Sequence, residues 1–490
     1  MSFFGLFQTE DRAQSSLYLY NTLTKEKQEF TSIRPDKMVR MYNCGPTVYG
    51  RQHIGNLSMF VFTDILRRAL EFNNFNVRQV INFTYFGHLT SDQDEGEDKM
   101  TKGLKREGLA LTMANMRSLG EKYAQLFLED IRTLNIEVDK VTFPRASDHI
   151  PGQIAMIKTL EEKGYAYRTK NGVLFDTSRF PMYGQLGSID LTSLKEGARV
   201  KVNVEKHNPT DFILWKTDKK LGWDSPWGKG FPGWHIECSA MIRSTLGEQI
   251  DIHTGGIEHI SIHHNNEIAQ SESATGKKPF SRFWLHRAHI QLEGAKIAKS
   301  EGNVVYLSDV MERGFHPLSL RYLFLGAHYR TPMNFTWEAL AAAQTAYGKL
   351  LTFVAGGDRT MRLSPKWQTI FRQHINDDLD TPGALASLWQ MLRDDSLSKT
   401  EKQATLLDAD RVFGLQLAEP DERARELATK ESRTEITLFD LPEAIRAFVA
   451  ERETARKDKD WVLADQLRGK ILDLGYEIDD AHGNSRIFKL

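Results

Sequence analysis

The chain has 490 residues and a formal net charge of -1, with 64 lysines and arginines against 65 aspartates and glutamates. This balance excludes a uniformly basic nucleic-acid coat, so a nucleic-acid partner must be bound by local patches and by shape. The two cysteines exclude a disulfide framework and indicate a reducing compartment. No apolar run approaches membrane-spanning length, and the N-terminus lacks the basic segment of a signal peptide. We therefore expect a cytoplasmic protein of several domains with no membrane partner.

The N-terminal region predicts a hairpin over residues 17–30, followed by a strand, a loop and a helix. Met38–Tyr42 is an apolar run, and apolar residues at helical spacing begin at Leu57, with Asn56 as the predicted N-cap. A second apolar strand, Val77–Phe83, completes a parallel βαβ unit. The unit has neither the G-x-G-x-x-G pattern nor a P-loop. The sequence thus predicts a Rossmann-like start with another kind of nucleotide site.

The loop between this strand and helix reads MYNCGPTVYGRQHIGN over residues 41–56. The N–H groups and positive dipole end of the helix would lie beside His53 and Gly55. Phosphate is the natural ligand for that position. An ordinary βα turn with a buried histidine is the alternative that the residues leave open.

A second stretch contains GWHIECSAM at 233–241 and HHNNE at 263–267. His263 and Glu267 are four residues apart and share a face if the segment is helical. Together with Cys44 and Cys238 they would provide a nitrogen, oxygen and sulfur set suited to zinc. His264 fits the geometry in place of His263, and packed core cysteines are the alternative to a metal site.

A third stretch, GAKIAKSEGN at 294–303, places Lys296 and Lys299 three residues apart in a glycine-flanked loop. Two lysines with the adjacent hydroxyl of Ser300 can neutralise a polyphosphate. Lysine-rich loops are more often simply solvated, so this motif alone is weak.

The C-terminal third has helical periodicity over residues 340–418, which predicts a helical bundle. A further helix over residues 445–472 carries basic side chains that could contact phosphate, although an ordinary solvated helix fits the charge pattern equally well. The basic residues are Arg452, Arg456, Lys457, Lys459, Arg468 and Lys470. Trp461 and Tyr476 are candidates for stacking on RNA bases.

Taken together, these motifs resemble the cysteinyl-tRNA synthetase family along nearly the whole chain. The resemblance implies an α/β fold: a Rossmann-like class I synthetase catalytic domain with an insertion, then an α-helical bundle and a small C-terminal anticodon-binding domain. The implied segments are a first catalytic half (1–138), a connective insertion (139–210), a second catalytic half with zinc ligands (211–290), a lysine loop with a stem-contact region (291–338), a helical bundle (339–430) and an anticodon-binding region (431–490).

The same resemblance implies cysteine–tRNA ligase activity, with L-cysteine, ATP and tRNA-Cys as substrates and a monomeric chain. It assigns catalysis to His53, Asn56, Lys296 and Lys299, with Gly55 and Ser300 as further ATP-binding residues. It implies a cysteine pocket of Gly45, Thr47, Thr84 and Trp234. It implies Mg²⁺ with ATP and one Zn²⁺ per chain, held by Cys44, Cys238, His263 and Glu267, which selects the substrate thiolate.

Several positions depart from the family pattern. They are Asn56, Tyr85, Glu258, Asn265 and Ala298. None of them removes a proposed metal ligand or either lysine. Two alternatives remain open: a ligase that joins cysteine to an amino sugar, against which the long helical tail argues, and a noncatalytic RNA-binding or regulatory relative.

Overall fold

The computed structural model describes residues 16–85, 99–187, 205–292, 295–296, 304–355, 362–431, 434–480 and 485–489. These residues fall into two compact units. The first unit comprises the described residues of 1–344 and 358–416, and the second comprises those of 345–357 and 417–490. Within the described ranges, no helix is both long and apolar enough to cross a membrane.

The first unit contains both strands and helices. Its strands are β1 (Tyr18–Asn21), β2 (Glu26–Glu29), β3 (Met38–Asn43), β4 (Asn76–Ile81), β5 (Val141–Thr142), β6 (Ala166–Thr169), β7 (Gly172–Phe175), β8 (Phe212–Thr217), β9 (Gly230–Pro232), β10 (Ile250–Gly256), β11 (Ser281–Arg287), β12 (Ile290–Leu292), β13 (Ala295–Lys296) and β14 (Met333–Phe335). The helices up to residue 413 are α1 (Ile54–Phe72), α2 (Lys99–Arg106), α3 (Met113–Thr133), α4 (Ile150–Glu162), α5 (Trp234–Thr245), α6 (His263–Thr275), α7 (Leu307–Glu312), α8 (Pro317–Leu325), α9 (Trp337–Val354), α10 (Pro365–Asn376), α11 (Thr381–Leu392) and α12 (Lys399–Phe413). Helix α9 begins in the first unit and ends in the second.

A five-stranded parallel sheet, in the order β11–β10–β3–β4–β5, organises the first unit. The predicted βαβ unit is confirmed, because β3 and β4 are parallel neighbours joined through α1. The predicted N-terminal hairpin is also present, with β1 and β2 antiparallel. The carboxyl ends of parallel strands meet at one edge of the sheet, where open α/β folds bind ligands. The segments after β3, β10 and β11 therefore converge there.

Helix α1 begins at Ile54, and its N-cap is His53 rather than the predicted Asn56. The backbone of His53 is extended, and its Nδ1 accepts a hydrogen bond from the Asn56 N–H at 3.1 Å. This bond satisfies one of the N–H groups that a helix N-terminus leaves without an intrahelical partner. Asparagine is a favoured cap, but here the imidazole ring already performs that role. Asn56 therefore lies inside the first turn.

The sequence pattern also predicts that the chain re-enters the nucleotide fold at Asp211, and this is wrong for strand β8. β8 pairs antiparallel with β7 and β9, in a separate sheet of order β6–β7–β8–β9. Leu214 and Trp215 of β8 are buried in one apolar cluster with Val173 and Phe175 of β7. Backbone pairing with β7 and β9 thus places β8 in the inserted sheet, and the chain rejoins the parallel sheet at β10.

A buried ion network fixes α1 to the helices that follow the sheet. The Asp64 carboxylate contacts the guanidinium groups of Arg67 at 2.5 Å and Arg321, on α8, at 2.6 Å. Arg321 also donates to the carbonyl oxygens of Phe413 and Leu134. Burial alone would raise the pKa of Asp64, but the surrounding guanidinium groups hold it well below its usual range. The network therefore stays ionised.

The second unit contains a small antiparallel sheet of β15 (Thr434–Ile436), β16 (Tyr476–Asp479) and β17 (Arg486–Lys489), with α13 (Glu422–Glu431), α14 (Glu443–Lys457) and α15 (Trp461–Asp473). Its apolar core includes Ile445 and Ile471. Arg452 is buried and pairs with Asp480 at 2.5 Å, so it is not available to phosphate as the charge pattern suggests. Trp461, by contrast, is 59% exposed.

Candidate active site and metal centre

One cavity of about 510 Å³ lies at the carboxyl edge of the parallel sheet. It is lined by residues from all three groups that the sequence singles out, namely the metal, nucleotide and cysteine-pocket residues. They are Cys44, Gly45, Thr47, His53, Gly55, Asn56, Thr84, Trp234, Cys238 and His263. One site is therefore formed by the loop after β3, the start of α1 and residues of α5 and α6, which follow about two hundred residues later.

The four predicted metal ligands come together. Cys44 follows β3, Cys238 lies on α5, and His263 and Glu267 are one turn apart on α6. One donor atom from each lies within 4.8 Å of the other three, and all four residues are buried. The Nε2 atom of His263 is 2.7 Å from Glu267 Oε1, and the Cys44 sulfur is 3.8 Å from the same oxygen. Two sulfurs, one imidazole nitrogen and one carboxylate oxygen form a donor set that zinc accepts.

A second donor group overlaps the first and shares Cys44 and Glu267 with it. It adds His253 and His264, so the alternative ligand His264 belongs to a set with one cysteine rather than two. The Nε2 atom of His264 is 3.4 Å from the Cys44 sulfur, and its Nδ1 is 2.8 Å from His286 Nε2. His263 is therefore the histidine that completes the set containing both cysteines.

The electrostatic environment of the cluster shifts the pKa values of the two thiols in opposite directions. A hydrogen bond from Cys44 lowers the pKa of Cys238 to about 6 despite the burial of both groups. Burial raises the pKa of Cys44 well above its usual range. Burial would lower the pKa of His263, but the Glu267 carboxylate raises it to about 10. Before metal binding, the cluster thus already stabilises one thiolate, beside a histidine and a carboxylate that attract each other.

The ring of His263 is oriented from two sides. Its Nδ1 lies 2.8 Å from Nδ1 of His235, and the indole of Trp234 stacks on it with a centroid distance of 4.2 Å. Metal-binding histidines usually hydrogen-bond through the other ring nitrogen, which fixes the tautomer and the ring direction. His235 and Trp234 therefore hold His263 with Nε2 directed toward Glu267.

The loop after β3 depends on a very close backbone approach. A β-carbon at Gly45 would lie 1.6 Å from the Asn82 carbonyl oxygen, and the Gly45 N–H donates to Asn82 Oδ1 at 2.9 Å. Two residues on, Thr47 bridges to Thr84 in parallel fashion. The predicted cysteine-pocket residues from the first half of the chain are thus positioned by backbone contacts between the segments that follow β3 and β4.

The start of α1 is also fixed to the chain that follows the lysine loop. His53 forms an antiparallel bridge with Tyr306, and the Ile54 N–H donates to the Val305 carbonyl at 2.9 Å. Lys296 lies in β13, where its backbone faces Gln291 of β12. Lys299 and Ser300, like the departure at Ala298, fall outside the described residues.

The cavity also contains residues that sequence reasoning missed. They are Tyr49, Gln52, Lys99, Lys102, Arg287 and His289. A usable signal existed for Arg287, because a charged residue that ends an apolar parallel strand lies at the ligand-binding edge of the sheet. Lys99 and Lys102 are three residues apart on the short helix α2, which has no comparable sequence signature.

Three departures from the family pattern have structural partners. The buried Tyr85 accepts a hydrogen bond from Arg145, and a β-carbon at Gly120 would lie 2.2 Å from its ring. Asn265 bonds the backbone of Leu186 through both its amide oxygen and its amide nitrogen. Glu258 lies at the cavity with Oε2 3.6 Å from His289 Nδ1. Tyr85 and Asn265 are therefore packed parts of the fold, and neither displaces a proposed ligand.

Comparison with known families now gives the class. The family described as tRNA synthetases class I (C) catalytic domain matches residues 30–345, and the Cysteinyl-tRNA ligase anticodon binding domain matches residues 439–484. A solved Mycobacterium tuberculosis methionyl-tRNA synthetase in complex with methionyl-adenylate has the same overall fold, with a TM-score of 0.55 at 15% identity over 84% of this chain and 96% of that one. The fold and site define a class I aminoacyl-tRNA synthetase.

Full-length relatives narrow the class further. The chain is 43% identical to cysteine–tRNA ligase 1 of Burkholderia lata, over 96% of this chain and 97% of the relative. It is 39% identical to cysteine–tRNA ligases of Treponema denticola, over 97% and 100% of the two chains, and of Thermus thermophilus, over 96% and 98%. The chain belongs to the cysteine–tRNA ligase family.

Proposed function

We propose that this enzyme activates L-cysteine with ATP and transfers the cysteinyl group to tRNA-Cys. The observation that carries the proposal is the single cavity that holds the His53–Asn56 helix start beside Cys44, Cys238 and His263. A nucleotide and a thiol-containing amino acid bound there would lie next to each other. Holding two reactants in one site converts a bimolecular step into an effectively unimolecular one.

In the first step, a carboxylate oxygen of cysteine attacks the α-phosphorus of ATP, the bond to the bridging oxygen breaks, and pyrophosphate leaves. Charge develops on the phosphate oxygens, so fixed donors and cations at that position lower the barrier. Because Nδ1 of His53 accepts from Asn56, the neutral ring carries its hydrogen on Nε2, as a donor. Lys296, Lys299 and Ser300 would bind the departing phosphates, and Mg²⁺ would accompany ATP.

Cysteine would be selected by the donor set of Cys44, Cys238, His263 and Glu267. Zinc, when bound there, supplies a Lewis acid that favours a thiolate strongly over a hydroxyl. Gly45, Thr47 and Thr84 would bound the small side chain, and Trp234 would cover it while holding His263 in place. A site that rejects serine by its binding chemistry has no need of an editing domain.

In the second step, a hydroxyl of the terminal tRNA ribose attacks the cysteinyl carbonyl carbon and AMP leaves. The anticodon end would be bound by residues 439–484, the part that matches the anticodon-binding family. Exposed Trp461 and half-buried Tyr476 would stack on unpaired bases. We place this reaction in the cytoplasm and expect a monomer with one zinc per chain.

The test is transfer of labelled cysteine to purified tRNA-Cys, with Cys238→Ala as the variant. Ser244→Ala, an exposed position on the same helix, is the matched control. We expect charging by the wild type and the control, and loss of charging with Cys238→Ala. Adenylate formation without tRNA charging would instead favour an amino-sugar acceptor, and absence of both steps would favour a noncatalytic relative.

A further inference from the structure

The buried arginines in the described part of the chain differ in whether a carboxylate lies beside them. There are four of them, Arg67, Arg287, Arg321 and Arg452. Asp64 lies within 2.6 Å of both Arg67 and Arg321, and Asp480 lies 2.5 Å from Arg452. Among the described residues, no carboxylate pairs with Arg287, although only 6% of this residue is exposed to solvent. Arg287 is thus the buried guanidinium without an anionic partner.

Such an arrangement is costly unless something compensates it. Burying an ionised group without a charged partner is unfavourable even after the protein relaxes. Burial lowers the pKa of Arg287 to about 10, so the group still carries its charge at neutral pH. A guanidinium has five N–H donors, and only the Nε–H of Arg287 has a hydrogen-bond acceptor among the described residues. The guanidinium also lies over the Phe324 ring, 5.8 Å from its centroid, but its remaining donors have no acceptor among the described residues, which leaves them available to a ligand in the cavity.

The position of Arg287 indicates where those acceptors come from. Arg287 is the last residue of β11 and lines the same cavity as His53 and Gly55. Its Nε donates to Ser58 Oγ at 2.9 Å, and Ser58 Oγ donates to the Gly55 carbonyl at 2.7 Å. This chain of hydrogen bonds ties the guanidinium to the first turn of α1, beside which the nucleotide is proposed to bind.

We propose that Arg287 is an ATP-binding residue, whose guanidinium donates to a hydrogen-bond acceptor of the nucleotide while Ser58 holds its Nε. The inference rests on the proposed ATP-dependent activation of cysteine. The acceptor is an oxygen of the phosphate chain, which would supply the anionic partner that Arg287 lacks, or a ring nitrogen of adenine, which would supply a neutral acceptor only. Arg287 thereby adds a permanent cation to the set of His53, Lys296 and Lys299.

The experiment is cysteine-dependent exchange of labelled pyrophosphate into ATP, with Arg287→Met and Arg287→Lys. Arg282→Met, a partly exposed arginine on the same strand, is the matched control. A charge-assisted hydrogen bond lost from binding raises a KM by about 10- to 100-fold. We expect a rise of that size in the KM for ATP with Arg287→Met, little change in the KM for cysteine, and partial recovery with Arg287→Lys.

Two further measurements keep a folding defect separate from a binding defect. The melting temperature of each variant is recorded alone and with α,β-methylene ATP, which should stabilise the wild type and Arg282→Met but not Arg287→Met. The KM for pyrophosphate and inhibition by adenosine then locate the acceptor: a raised KM for pyrophosphate assigns the phosphate chain, and weaker adenosine inhibition assigns the base.

The proposal is overturned if the KM for ATP is unchanged in Arg287→Met, or if the KM values for ATP and cysteine rise equally with a lowered melting temperature. The second result would make Arg287 a structural residue of the β11–α1 contact. Absence of exchange by the wild-type enzyme is a separate outcome, because it contradicts the proposed function itself.

Discussion

Gly45 and Asn82 approach each other so closely that a single added carbon at Gly45 would overlap the Asn82 carbonyl oxygen, at 1.6 Å. The contact joins the loop that carries Cys44 to the segment that carries Thr84. No side-chain rotation relieves this overlap, because both partners are backbone.

We therefore predict that Gly45→Ala loses most cysteine activation and is destabilised by about 2–4 kcal/mol, a size seen for severe steric changes in a packed interior. Urea unfolding and pyrophosphate exchange measure the two effects. Gly152→Ala on α4 is the control, because nothing lies within 4 Å of its added β-carbon. It should be neutral or slightly stabilising. A Gly45→Ala enzyme with wild-type stability would contradict the close approach.

The metal centre makes a prediction about metal content. Glu267→Gln removes a charged oxygen donor while preserving shape, so we expect zinc content to fall well below one per chain and cysteine activation to fall with it. Elemental analysis of purified protein measures the metal directly. Glu248→Gln, a partly exposed acid between α5 and β10, should retain both zinc content and activity. Full zinc occupancy in Glu267→Gln would remove Glu267 from the ligand set.

The ion network around Asp64 predicts that replacing a buried arginine lowers the free energy of unfolding much more than replacing an exposed one. Arg321→Met leaves the buried Asp64 with one fewer guanidinium partner, and breaking a buried pair in this way costs about 3–5 kcal/mol. Arg243→Met removes an exposed partner of Glu248 and should cost less than about 1 kcal/mol. Chemical denaturation of the two variants tests the comparison, and equal losses would show that the buried pair of Arg321 and Asp64 stabilises the fold no more than the exposed pair does.

Asp480 predicts an acid-dependent loss of stability in the second unit. Hydrogen bonding from Arg452 lowers the pKa of Asp480 to about 2, against an unfolded value near 3.9. A carboxyl with a depressed folded pKa contributes stability above the unfolded pKa and loses it as the pH falls toward the folded value. The contribution of this partly exposed group should therefore disappear between about pH 4 and pH 2.

Asp480→Asn should lower stability at pH 7 by about 1 kcal/mol, since solvent screens much of the pair. The difference between this variant and the wild type should shrink across the acid window. The measurement is thermal unfolding of the wild type and the variant at pH values from 7 to 2, followed through a signal from the second unit. A constant difference at every pH would show that the Arg452–Asp480 pair does not stabilise the fold through charge.

Local sequence patterns predicted the hairpin, the βαβ unit and the helix that places His263 above Glu267, because each depends on residue spacing within one element. They did not predict the cap at His53, since an imidazole can replace the usual capping side chains. They also misplaced β8, because the choice between two sheets depends on its backbone pairing with β7 and β9. Those contacts join distant parts of the chain and leave no local signal.

The candidate site likewise contains residues that the sequence predicts and residues that only the fold reveals. That the four proposed ligands lie together was predictable because the chain has only two cysteines, and because His263 and Glu267 are four residues apart in a segment expected to be helical. Arg287 was not singled out: its place at the end of an apolar strand was a usable signal, but only the folded sheet shows that it is buried and that no described carboxylate pairs with it. The roles of Lys299 and Ser300 stay predictions, since these residues lie outside the described part of the chain.

The order in which the four donor residues are synthesised gives the site one more property. Cys44 leaves the ribosome early, whereas Glu267 follows only after the whole inserted sheet has been made. A nascent chain that ends before α6 can offer a metal a single thiol or two, but never the complete donor set. Because metal binding and folding are coupled in sites of this kind, an ion held by all four proposed ligands would require α6 to have been made, while β11, the edge strand of the parallel sheet, is still to follow.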